Sequence, residues 1–126
     1  MKKMIDEILR ELGVDVNTIE PCQGEVYALT MNDGNEINLH IDDKNWLHAM
    51  SEFSCSVDEK GIMYKQLAWF NDFNVSHPQL IMGVNRDNEK IVLHSRFHCE
   101  NTNRVKVIEF FEVFTLKLNE IKNFFN

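Results

Sequence analysis

Imidazole, guanidinium and thiol groups crowd one short run: His94, Arg96 and His98 alternate, and Cys99 follows. On a strand, alternation puts the first three side chains on one face, about 7 Å apart. His40 and His48 fall in segments that read as other strands. A sheet can gather imidazoles from adjacent strands around a metal ion. No Asp or Glu shares the local run, and the plainer reading is a solvated polar sheet face. A small-ligand- or metal-binding α+β domain that uses His40, His48, His94 and His98 is the alternative this row keeps open.

The remaining candidates for chemistry are weaker. A Cys–His pair could make a thiol nucleophile, but Cys22 sits in a loop with no histidine near it, and Cys55 and Cys99 fall at strand ends. Free cysteines are commonly small buried hydrophobes. The acid pairs Asp42-Asp43 and Asp58-Glu59 lie in a turn and at a helix start, where they serve capping and solubility. The 5 glycines are isolated from one another, so no phosphate-cradling loop or nucleotide fingerprint exists. The expectation is no catalysis, no cofactor and no metal.

Positioning these residues takes a chain of ordinary globular composition. It has 126 residues, 44% of them apolar and 26% charged, which fits one domain spanning 1–126 with a real core. The net charge of −7 argues against nucleic acid and against an anionic membrane surface. The 3 scattered cysteines are no disulfide framework and suit a reducing cytoplasm. The start MKKMIDEILRELG lacks the uninterrupted apolar core of a signal peptide, and no apolar run is long enough to span a membrane.

Met1, Met4, Ile5, Ile8, Leu9 and Leu12 recur at spacings of three and four, a helical stripe that Gly13 closes. Val14 to Gly24, with Pro21, reads as an aperiodic linker. Glu25–Met31, Glu36–Ile41 and Trp46–Phe53 read as three antiparallel strands, joined by turns at Asn32-Asp33-Gly34-Asn35 and Asp42-Asp43-Lys44-Asn45. Ser56 or Asp58 could cap a helix over Lys60–Phe73, and Pro78 pushes His77 out of helical geometry. Gln79–Val84 and Lys90–Cys99 read as two further strands. Asn101 or Thr102 could cap a last helix that ends near Phe125, with Val107, Phe111, Phe114, Leu118, Ile121 and Phe125 as its stripe. The order α-β-β-β-α-β-β-α indicates an α+β fold with a twisted antiparallel sheet packed against helices.

The helix over Lys60–Phe73 has too much apolar surface for one side. Leu67, Ala68, Trp69 and Phe70 are consecutive, and consecutive helical positions sit about 100° apart. Ile62, Met63, Leu67, Phe70 and Phe73 can share one face, which leaves Tyr64 and Trp69 pointing elsewhere. The last helix is aromatic over a wide arc. Together the two predict a surface shared with a second protein.

These features resemble the small acidic class I chaperones of bacterial type III secretion, the family typified by the Tir chaperone. The element order is that family's. Leu12-Gly13-Val14 looks like the close of its first helix. Tyr27-Ala28-Leu29, Asp33-Gly34 and Ile37-Asn38-Leu39 look like its first hairpin. Leu67-Ala68-Trp69-Phe70-Asn71 with Phe73-Asn74, then Ile81-Met82-Gly83-Val84-Asn85 and Ile91-Val92-Leu93-His94-Ser95-Arg96, are similar to its second helix and last two strands. Ser54-Cys55-Ser56 stands where the family commonly has Leu-Pro. The resemblance implies a cytoplasmic bacterial homodimer, without catalysis or ATP use. Such a dimer binds the N-terminal segment of a secreted effector in extended form and keeps it stable and export-competent. It also implies an effector groove walled or supported by Ile5, Ile8, Leu9 and Leu12, and a dimer contact through Leu67, Trp69, Phe70, Phe73, Leu80 and Met82. An adaptor of the same fold with a folded cellular partner fits the same residues.

Overall fold

A computed structural model describes residues 2–11, 15–19, 26–31, 33–55, 60–71 and 79–126. Three helices and six strands follow in the order α1 (Lys2–Glu11), β1 (Asp15–Ile19), β2 (Val26–Thr30), β3 (Glu36–Ile41), β4 (Trp46–Phe53), α2 (Lys60–Asn71), β5 (Leu80–Val84), β6 (Ile91–His98) and α3 (Arg104–Phe125). The α+β class and the antiparallel sheet agree with the sequence expectation. One strand is additional. Asp15–Ile19, read above as part of an aperiodic linker, pairs with β2 in the register Asp15↔Thr30 to Ile19↔Val26. The sheet is therefore six-stranded, in the order β1-β2-β3-β4-β6-β5. Leu12, Gly13, Cys22, the cap candidates Ser56 and Asp58, Phe73, Asn74, His77 and Pro78 lie outside the described residues.

From β2 to β6 the strands alternate, and their registers put every buried side chain on one face. Tyr27, Leu29, Ile37, Leu39, Leu47, Ala49, Phe53, Leu80, Met82, Ile91 and Leu93 form that face. The helices cover it. α3 lies against β4 and β6, α1 against α3, and α2 against β5. α3 is 22 residues, about 33 Å at 1.5 Å per residue. It buries Val107, Phe110, Phe111, Phe114, Leu118, Ile121 and Phe125. Its N-cap is Asn103 rather than Asn101 or Thr102. Asn103 has extended backbone and its side chain accepts from the Lys106 amide, whereas Asn101 is in the left-handed region at φ 56°. Arg104 at the start of α3 pairs with Glu11 at the end of α1.

Two polar devices complete this layer. Buried Ser51 and Ser95 donate to the Glu36 and Gln79 carbonyls, which satisfies hydroxyls that would otherwise cost stability in an apolar core. The β2–β3 turn, with Gly34 at φ 88°, is tied to α3 through buried Asn35. The Asn35 amide donates to Asn119 Oδ1 at 2.7 Å and to Asp33 Oδ2 at 3.0 Å, and its oxygen accepts from Lys122 Nζ. Asn35→Ala strands these partners, so a loss of about 1–3 kcal/mol is expected in urea unfolding. Asn38→Ala, exposed on the other face, should stay within about 0.5 kcal/mol. The Asn35 backbone N–H, which donates to Asp33 Oδ1 at 3.0 Å, holds the Asp33 carboxyl below its ordinary value of 3.8, with help from the Asn119 and Asn35 side chains and from Lys122. A lowered carboxyl stabilises the fold above that value and loses its contribution as pH falls through the folded one.

Candidate functional site

Apolar surface that the sheet does not absorb collects between α2 and α3. On α2, Leu67 is buried and Phe70 half-buried, while Tyr64 and Trp69 turn outward. The division follows from helical geometry: Trp69 is two positions, about 200°, from Leu67. Its ring is 66% exposed, with Lys65 Nζ 5.0 Å from the ring centroid. On α3, Phe124 is 64% exposed although its neighbour Phe125 is buried. Trp69, Phe70, Ile121 and Phe124, with Gln66 and Glu120, line a groove of about 380 Å³. Within it the Gln66 side-chain oxygen is buried and has no hydrogen-bond partner among the described residues. The groove thus offers aromatic walls and one unmet acceptor, a combination that suits an apolar segment bringing an N–H or O–H donor.

The residues singled out from the sequence fall in different places. Trp69 and Phe70 are in the groove. Leu67, Leu80 and Met82 are buried in the chain's own core, so their side chains have almost no surface left to give a second chain; they stand behind any contact there. On β5 the outward residues are Ile81 and Gly83. Ile5, Ile8 and Leu9 are buried likewise, which fits supports rather than exposed walls. Leu12 and Phe73 lie outside the described residues. Phe124, Ile121 and Gln66 complete the groove and were not singled out. Phe124 and Ile121 stood in the apolar arc of α3, but periodicity alone does not say that they approach α2.

The two sheet edges differ. β5 is one edge. There the Asn71 side chain, at the end of α2, accepts from the Met82 amide at 3.0 Å and donates to the Met82 carbonyl at 2.8 Å. One carboxamide does what a neighbouring strand would do. β1 is the other edge, and no described strand pairs with its outer side.

The face away from the helices carries His40, His48, His94, Arg96 and His98, as the alternation predicts. Trp46 receives Arg96 4.5 Å from its ring centroid and His98 edge-on at 4.6 Å. His48 Nδ1 lies 3.0 Å from His94 Nε2, and His48 Nε2 lies 2.9 Å from Asp42 Oδ2. These nitrogens are engaged with one another and with Asp42 instead of converging on a common point. No group of three or more His, Cys, Asp or Glu among the described residues could hold a metal ion. No described helix is long and apolar enough to cross a membrane.

No family model matches the chain, and no curated protein matches it. Solved structures do. The chain is similar to the Yersinia pestis type III secretion chaperone SycH, solved with a stable fragment of YscM2. The identity is 16%, the TM-score 0.66, and the match covers 91% of this chain and 93% of that one. It is also similar to a chain of the HopA1–SchA chaperone–effector complex, at 10% identity and a TM-score of 0.75 over 97% of this chain and 92% of that one. Likeness over nearly the whole length, at identities this low, is a likeness of fold, and the fold of this chain is that of the type III secretion chaperones.

Proposed function

We propose that this chain is a cytoplasmic bacterial type III secretion chaperone that acts by binding, without catalysis. As a homodimer it holds the N-terminal segment of an effector in extended form and keeps that effector stable and export-competent. The observation that carries this reading is the end-to-end likeness to SycH and to the HopA1–SchA complex. The asymmetry of the sheet edges supports it: an extended segment gains backbone hydrogen bonds by adding to an open edge, and β1 is the edge without a described neighbour. Ile5, Ile8 and Leu9 brace the helix that precedes β1, and the α2–α3 groove is the surface assigned to the second copy.

The test is co-expression with the N-terminal third of the protein encoded beside this gene, followed by size-exclusion chromatography with light scattering. The expected result is a dimer alone, and a stable complex of two copies with one segment. A monomer at micromolar concentration that retains no segment would overturn the proposal.

A further inference from the structure

The open sheet face holds a feature that segment binding does not use: a hydrogen-bonded chain from Asp42 through His48 to His94. It joins the β3–β4 loop, β4 and β6. Asp42 is fixed first. Its Oδ1 accepts from the Lys44 and Trp46 amides, both at 2.9 Å, which aims Oδ2 at His48 Nε2 at 2.9 Å. These bonds, the one from His48 foremost, hold the Asp42 carboxyl down to about 2, so it is an acceptor over the whole working range. His48 must therefore carry its proton on Nε2 and present a bare Nδ1. The 3.0 Å contact between that Nδ1 and His94 Nε2 then requires the proton on His94 Nε2. The rings lie 12° from parallel, with centroids 5.3 Å apart.

Only one hydrogen fits between two nitrogens 3.0 Å apart. A first added proton can be housed without breaking the chain. It can sit on His94 Nδ1, or on His48 with His94 turning acceptor at Nε2. A second added proton puts hydrogens on both facing nitrogens, and the contact cannot survive. We propose that Asp42, His48 and His94 form a proton-gated latch on the open face of the sheet, shut with no or one added proton and open when both rings are protonated.

The surroundings favour this assignment. His40 on β3 stacks on His48 at 6.0 Å between centroids. Arg96 is His48's register partner on β6, while Met50 and Ile81 flank His94 from β4 and β5. Arg96 is drawn onto Trp46, and Glu52 is occupied by Asn85 and Asn88. Among the described residues, Asp42 is thus the one carboxylate bonded to the pair. Burial, reinforced by His48 and Arg96, pushes His94 below its ordinary value of 6.5. The unfolded chain takes that proton near pH 6.5 and the folded chain only below it, so the contribution to stability is full above that value and declines as acid carries the protein through the interval. Opening puts two imidazolium rings beside Arg96, between exposed Met50 and Ile81. The face changes from nearly neutral to cationic while the eight-residue β4–β6 backbone ladder stays in place.

The test is 15N NMR of the histidine rings in the full chain. A scalar coupling across the hydrogen bond, between Nδ1 of His48 and Nε2 of His94, is expected at neutral pH and should vanish between about pH 7 and pH 4. In His94→Gln, whose amide donates but does not titrate, that coupling is lost while the His48 Nε2 bond to Asp42 remains. Absence of the coupling at neutral pH, or its persistence at pH 4, overturns the latch. The wild-type measurement decides the matter even where the variant does not fold, and it is independent of whether a segment binds.

Discussion

Trp69→Glu is expected to give a stable monomer. The wild-type ring is 66% exposed in the isolated chain, so its own fold loses little when it goes. The new carboxylate would lie one turn from Lys65, whose ammonium now sits over the ring, and an i,i+4 pair of that kind is mildly favourable. Unfolding free energy should therefore stay within about 0.5 kcal/mol. In a contact between two copies the same substitution takes a carboxylate out of water, with only the lysine beside it as compensation. That costs about 3–5 kcal/mol, on the order of a hundred- to several-thousand-fold in Kd. Light scattering at micromolar concentration reads the change directly. An unchanged dimer mass would show that the second copy docks elsewhere and that the α2–α3 groove is free for another partner.

Phe114→Ala should have the largest effect on the fold itself. Phe114 is fully buried at the middle of α3, the helix that lies against β4 and β6. Removing a buried phenylalanine costs about 3–5 kcal/mol, through lost transfer energy and the cavity left behind. That is a large part of the roughly 5–15 kcal/mol that holds a typical domain. Urea or thermal unfolding measures it. Phe124→Ala, on the same helix but 64% exposed, should leave stability almost unchanged and instead weaken self-association, because it strips one wall of the groove. If the two substitutions destabilised equally, the burial pattern of α3 would be wrong.

The contrast between Phe114 and Phe124 also shows how far the sequence could be read. Periodicity marked α1 and α3, and alternation marked β3 and β6, because each of those elements has one buried face and a repeating pattern records it; α2 stood out instead by apolar residues that exceed one face. β1 left no such record. Its five residues, Asp15–Ile19, are an edge strand defined by pairing with β2, a long-range event that local pattern does not encode. The site was legible to the same degree. Four consecutive apolar residues marked Trp69 as surplus to the core. Leu80 and Met82 were grouped with it because apolar character does not say which side of a strand meets a helix. The groove joins α2 to the end of α3, and that approach is set by the tertiary packing. The histidine row was visible as a row. The Asp42 link was not, since a turn residue normally serves its own backbone, and here one oxygen does so while the other reaches His48.

The carboxamide of Asn71 has a consequence for how this chain can assemble. A sheet with two receptive edges can grow head to tail without limit, which is how fibres arise. With Met82 already engaged on both its backbone groups, edge-to-edge growth through β5 is obstructed at its middle. Copies that met through their β1 edges would close on one another and stop. A single side chain at the end of a helix therefore closes one edge of the sheet at its middle, and leaves β1 as the edge without a described neighbour.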